Sequence, residues 1–316
     1  MNKIGETYIN NQNLKMTIVE YNDCRNIIVE FEDGYRKKTR MDCIKNGSVY
    51  NPNFPNVNNK KQGRIGEERY NTKGDLMKII EYKDSYNVII EFQDNYKAKK
   101  NIRYDSFING NVKNPYHKDL YGIGYFGEGN YSDKEHHIYY RVWQDMIKRC
   151  YDKETIRKHP TYKECEVCEE WHNFQNFAKW CDKNYYESKF KNEPMQLDKD
   201  ILKKGNKVYS PETCIFVPRR INSLFIKSDK ARGRYPIGVT LRKDNGKYRS
   251  QCDVQYEEEP RKQIQLGQFD TPEEAFYAYK QFKENYIKEV ADIYKPYIPE
   301  KLYEATYRYE VEIDYW

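Results

Sequence analysis

Two patterns in this 316-residue chain have residue types and spacing that could do chemistry. The first is a basic run: residues 199–234 hold ten Lys or Arg (Lys199, Lys203, Lys204, Lys207, Arg219, Arg220, Lys227, Lys230, Arg232, Arg234) against Asp200, Glu212 and Asp229, a local net of +7 against +6 for the whole protein. Charge this dense attracts phosphates, because each phosphate neutralised releases condensed counterions. A solvated basic face is the plainer reading of the same residues. The second pattern is Cys165-x-x-Cys168, half the ligand spacing of a small zinc site, with Cys150, Cys181 and Cys214 available for the other half. The pair stands alone, so buried free thiols packing as small hydrophobes are the simpler account, with structural zinc as the alternative. The five histidines join neither pattern: His136 and His137 precede the first helical stripe, and His172 follows Trp171.

The elements that must position these residues fall into blocks. Residues 1–115 contain an internal repeat: Met16-Thr17-Ile18-Val19-Glu20-Tyr21 answers Met77-Lys78-Ile79-Ile80-Glu81-Tyr82, and Asn26-Ile27-Ile28-Val29-Glu30-Phe31 answers Asn87-Val88-Ile89-Ile90-Glu91-Phe92, both at an offset of 61. After two inserted residues the match resumes at 63, with Asn46-Gly47 against Asn109-Gly110 and Asn51-Pro52 against Asn114-Pro115. Each copy has β-rich segments, a turn at Asp33-Gly34 or Asp94-Asn95, and a closing Asn-Gly, which predicts a small antiparallel barrel-like module or meander over 1–55 and again over 64–118. Asn53 to Gln62 reads as the linker. Arg36, Lys37, Lys38 and Arg40 in one copy, and Lys97, Lys99 and Lys100 in the other, suit docking to nucleic acid or to a protein partner; solubilising edge-strand lysines are the plainer reading.

From about 136 the period becomes helical. Tyr139, Val142, Trp143, Met146, Ile147 and Cys150 form one apolar stripe, and Trp171, Phe174, Phe177 and Trp180 a second, both simplest as core. Near the C-terminus three short strands precede a helix opened by Thr271-Pro272-Glu273-Glu274, with a hydroxyl cap, a proline at the first position and acid at the positive dipole end. Ala275, Tyr279, Phe282, Tyr286 and Val290 make its buried face. Alternation puts Arg249, Gln251 and Asp253 opposite Tyr248, Ser250 and Cys252, and Thr240, Arg242, Gln263 and Gln265 extend the polar face. A sheet of this kind can enter the major groove, where Arg reads guanine and Gln reads adenine. The tail, 296–316, is acidic and aromatic, and could pack back or dock a partner.

The 16% aromatic content, with 32 Tyr, supplies cores that the 38% hydrophobic fraction alone would leave thin. No stretch approaches the ~18 apolar residues of a membrane span, and the first residues lack a signal-type apolar core, so the expectation is a cytoplasmic protein with reduced thiols and no membrane partner.

Residues 139–225 resemble the HNH endonuclease-like proteins of phages and mobile elements. The resemblance rests on Trp143-x-x-Met146 with Arg149-Cys150-Tyr151, on Cys168-Glu169-Glu170-Trp171 with Phe174 and Phe177, and on LDKDILKKGNKVYSPETCIFVPRRIN at 197–222. It implies a ββα unit over 132–228 that holds one divalent cation against a scissile phosphate while a base deprotonates water. Asp198, Asp200 and Asn222 take the catalytic places, the two aspartates as ligands for magnesium or manganese. Lys199 stands where the family has its histidine base, and Thr213 where it has an asparagine; a lysine is ordinarily protonated near neutrality and is no base. Either the aspartates still support a specialised nuclease, or a catalytically degenerate derivative keeps the fold for binding.

Residues 237–291 resemble the APETALA2-type DNA-binding domain, through Ile237-Gly238-Val239, Gly246-Lys247-Tyr248, Leu266-Gly267-Gln268-Phe269, and Thr271 to Ala275 with Ala278-Tyr279. Gln265 and Asp253 replace tryptophan or arginine of plant relatives, so target preference does not carry over. Together the reading is an α+β, multidomain chain: two β repeats, an HNH-like unit, and a three-stranded sheet plus helix over 235–295. Its expected partner is double-stranded DNA, contacted by Lys199, Lys203, Lys204, Arg219, Arg220, Arg242, Arg249, Gln251, Gln263 and Gln265. The alternative is a phage-encoded regulator or inhibitor of a host nucleic-acid defence that acts by binding, with the N-terminal repeats docking a host or phage protein.

Overall fold

The computed structural model describes residues 3–54, 63–225, 235–256 and 259–313. Most of the expected linker, Lys227, Lys230, Arg232 and Arg234 of the basic run, Glu257 and Glu258, and the last three residues lie outside these. The chain divides into two units, Met1–Asn114 and Pro115–Trp316.

In the first unit each copy is a four-stranded antiparallel meander. Strands β1 (Thr7–Ile9), β2 (Lys15–Asp23), β3 (Asn26–Phe31) and β4 (Arg36–Thr39) form one sheet in that order, followed by helix α1 (Met41–Lys45). The second copy repeats this with β5 (Glu68–Tyr70), β6 (Leu76–Asp84), β7 (Asn87–Phe92), β8 (Lys99–Ile102) and helix α2 (Tyr104–Ile108). The pairing register repeats as well: Met16 faces Phe31 as Met77 faces Phe92, and a bulge falls between Ile18 and Glu20 as it does between Ile79 and Glu81. Of the two expected forms the meander is the one seen, and neither sheet closes into a barrel: among the described residues β1 pairs with β2 and β4 with β3 at the open edges. Alternation instead buries one face, Met16, Ile18, Ile27, Val29 and Phe31, under Met41, Ile44 and Val49.

The closing residues explain the Asn-Gly signal. Gly47 (φ 72°) and Gly110 (φ 67°) take left-handed backbone, and a Cβ on Gly47 would lie 2.6 Å from Asn11 Oδ1. Asn10 Nδ2 donates to the Val49 carbonyl at 2.9 Å, and Asn71 Nδ2 to that of Val112 at 3.0 Å. Asn51 donates to the Asp33 carboxylate, and Asn114 to that of Asp94. Lys37 and Lys100, read as docking lysines, donate to the carbonyls of Tyr50 and Lys113 and strap each copy shut.

The second unit holds two cores. Helices α3 (His137–Tyr151), α4 (Lys153–Lys158) and α5 (Phe174–Asn184) surround one built on Trp143, Met146, Ile147, Trp171, Phe174 and Phe177, the residues of the two sequence stripes. Strands β9 (Glu166–Val167) and β11 (Val208–Tyr209) pair in parallel beside it. The hairpin β10 (Met195–Asp198) and β12 (Ile215–Pro218) leads into helix α6 (Arg219–Ser223). The second core joins Ile215, Val217 and Ile221 of this ββα unit to the sheet β13 (Val239–Leu241), β14 (Tyr248–Val254), β15 (Lys262–Phe269) and its helix α7 (Pro272–Tyr294). Thr271 and Glu274 form a capping box, so two orphan amides at the helix start are satisfied. Helix α8 (Glu300–Tyr307) returns along α7, burying Leu302. No described helix is long and apolar enough to cross a membrane.

Candidate nucleic-acid interface

The hairpin positions the first group of candidates. Asp198 ends β10 opposite Ile215, and its Oδ1 accepts from the amides of Asp200 at 2.9 Å and Ile201 at 2.7 Å, which turns the chain out of the strand. Burial, followed by the neighbouring Asp200 carboxylate, pushes the Asp198 carboxyl up to about 6, against those two amides. Alternation puts Gln196 on the face of Asp198, and Asn222 of α6 donates to Gln196 Oε1 at 2.8 Å. Of the three expected catalytic residues, Asp198 and Asp200 adjoin each other, and Asn222 meets the hairpin through Gln196. The Asp198 carboxyl is raised by burial first and by Asp200 second, and the Asp200 carboxylate is itself paired with Lys199 at 3.1 Å. Among the described residues no three His, Cys, Asp or Glu side chains gather around a point.

Lys199 is buried against Asp200. It is 7% exposed, donates to Asp200 Oδ2 at 3.1 Å and to the Asn206 carbonyl at 2.9 Å, and lies over the Tyr209 ring. Burial pulls its pKa down, but the Asp200 carboxylate more than offsets this and holds it above the ordinary lysine value. Raised in this way and buried, it closes the 199–206 loop, and is neither a base nor the exposed phosphate contact expected of it. Thr213 Oγ1 donates to the Val208 carbonyl at 2.7 Å and meets Ser210 Oγ at 3.1 Å, so it fixes the turn before β12.

The basic run separates by burial. Lys203, Lys204 and Arg219 are exposed. Arg220, expected with them, stacks over Phe190 and donates to the Gln255 carbonyl, tying α6 to the end of β14. Its side chain is committed to the protein's own fold.

The sheet carries the second group. Ser250, Cys252 and Val254 are buried under α7, and Arg249, Gln251 and Asp253 alternate to the opposite face, where Gln251 Oε1 is itself buried without a hydrogen-bond partner among the described residues. The register gives that face its rungs: Thr240 and Gln268 flank Arg249, Gln265 lies opposite Gln251, and Gln263 opposite Asp253. Arg249 Nε donates to Thr240 Oγ1 at 3.4 Å, and Asn245 Nδ2 to Gln268 Oε1 at 2.8 Å. Arg242 pairs with Asp244 at the edge. Asp253, which would repel phosphates, is neutralised by Arg261 and accepts from Gln263 at 3.2 Å.

Gln268 was missed by alternation. A bulge between Ser250 and Gln251 leaves Leu266 unpaired, so the faces exchange and position 268 joins 263 and 265. The available signal was Gly267 inside a strand, whose φ of 143° marks a backbone that side chains rarely adopt.

All eight cysteines are free. Burial raises the thiols of Cys150 and Cys214 to about 12, and Cys165 Sγ lies 3.7 Å from the Thr161 carbonyl. His136 Nδ1 accepts from the Ser132 amide at 3.3 Å, and the His172 ring lies 3.0 Å from the Val167 carbonyl; neither histidine reaches Asp198 in these contacts. Comparison of the chain with family models, with curated proteins and with solved structures finds no match.

Proposed function

We propose that the protein binds double-stranded DNA through the outer face of the β13–β15 sheet, with Lys203, Lys204 and Arg219 of the ββα unit contacting phosphates. One observation carries this reading: Arg249, Gln263, Gln265 and Gln268 line the sheet face turned away from α7, on rungs set by pairing register. Arg and Gln are the side chains whose paired donors and acceptors fit guanine and adenine edges, and a narrow polar sheet fits the major groove. The resemblances to the APETALA2-type domain and to HNH endonuclease-like proteins point the same way. Arg249→Ala should weaken duplex binding about tenfold or more, the loss of one bidentate base contact. In fluorescence anisotropy the affinity should fall steeply with salt. Salt-independent binding, or an Arg249→Ala variant equal to wild type, refutes the interface.

A second reading adds cleavage, favoured by the adjoining Asp198 and Asp200 carboxylates. Metal-activated water would need no protein base, which the buried Lys199 does not supply. Supercoiled plasmid with magnesium or manganese decides the matter: nicking by wild type that is lost in Asp200→Ala supports hydrolysis, and no nicking by wild type leaves binding alone.

A further inference from the structure

The C-terminal segment returns over the helix that backs the sheet. Val311 is buried; its amide donates to Glu284 Oε1 at 2.8 Å, and its carbonyl accepts from Lys280 Nζ at 2.7 Å. Lys280 and Glu284 are themselves i,i+4 partners on α7, so one turn of the helix clamps one residue of the tail. Tyr309 packs against Phe225 with ring centroids 4.5 Å apart. Those anchors owe nothing to the tail's acidic charge, and they carry Glu312 Oε1 to 2.6 Å from Lys204 Nζ, with the Tyr309 ring 5.8 Å from the same ammonium. Lys204 follows Lys203 on the loop leaving β10, where the basic run begins.

We propose that this tail is an internal competitor for DNA: the Glu312 carboxylate occupies Lys204 in the free protein and gives way to a phosphate when duplex binds. The side chains of Lys204 and Glu312 are 56% and 63% exposed. An ion pair so open to water is weak and readily exchanged. What makes it effective is tethering, since Val311 and Tyr309 hold the carboxylate beside the lysine at high local concentration. The tail therefore tunes affinity and does not block it, and the duplex must displace one carboxylate while the anchors stay in place.

This inference rests on the DNA-binding reading, and its test separates the two. The full chain is titrated into a labelled duplex at about 0.1 M salt, where charge contacts still act over about 10 Å. Wild type, Glu312→Gln, Lys204→Ala and the double variant are compared. Glu312→Gln should tighten binding about threefold, of the order expected for freeing one phosphate contact. The gain should vanish in the Lys204→Ala background, a non-additivity that a merely structural role for Glu312 would not produce. Wild type that binds while Glu312→Gln binds equally, or a gain that persists without Lys204, overturns the competitor alone. No binding by any variant even at low salt overturns the DNA-binding reading and this inference with it. Matching thermal midpoints for the four proteins exclude misfolding as the source of a difference.

Discussion

Burial ordinarily strips a lysine of its proton, and Lys199 keeps its own because Asp200 lies 3.1 Å away. The cost falls on Asp198, whose carboxyl is pushed up by burial and by the same Asp200. A carboxyl that titrates near 6 in the folded chain and near 3.9 unfolded binds its proton more tightly when folded, so stability falls as pH climbs from about 4 to about 6. Asp198→Asn keeps the acceptor oxygen for the amides of Asp200 and Ile201 and removes the titration. In chelator-treated buffer the variant should be more stable than wild type at pH 7, by on the order of 2 kcal/mol, and equal to it near pH 4. Urea midpoints at the two pH values check this; parallel pH slopes for both proteins would show that Asp198 is not the group responsible. The sequence named Asp198, Lys199 and Thr213 as the positions where chemistry had to be decided. It could not show that Lys199 turns inward, because that depends on Asn206 and Tyr209 closing over it.

At the scale of elements, period and capping residues were enough to place the helices α3, α5 and α7 and the three C-terminal strands. Alternation fails where the ladder takes an extra residue, so Gln268 came to light only through the register. Gly267→Ala forces a Cβ to 3.2 Å from the Phe269 ring on a backbone suited to glycine. It should destabilise the protein by about 1–3 kcal/mol and, if the bulge rearranges, turn Gln268 off the polar face. A chemical denaturation midpoint unchanged from wild type would show that the strand does not need this glycine. Arg220 illustrates the other limit. Nothing in an Arg-Arg pair tells which guanidinium faces water, and here Arg219 is exposed while Arg220 stacks on Phe190.

For the whole molecule, each of the two units has its own buried residues, so each meets the requirement for independent folding. Residues 1–114 produced alone should melt in a cooperative transition, and residues 115–316 should keep duplex affinity within about a factor of two. A calorimetric scan and an anisotropy titration of the fragments test this; lost affinity in the second fragment would assign part of the interface to the repeats. The repeat was legible because duplicated strands keep both their apolar spacing and their paired asparagines. What the alignment left unplaced was its two extra residues, and the ladders now place them. Glu30 pairs with Arg36, and Glu91 with Lys99, so the added length lies wholly in the second copy's hairpin tip, where Lys97 adopts a φ of 54°. Among the described residues the pairing ladders of the two copies part company at this loop. A partner that grips both alike must use the common faces, and residues 93–98 give a backbone shape by which another could tell them apart.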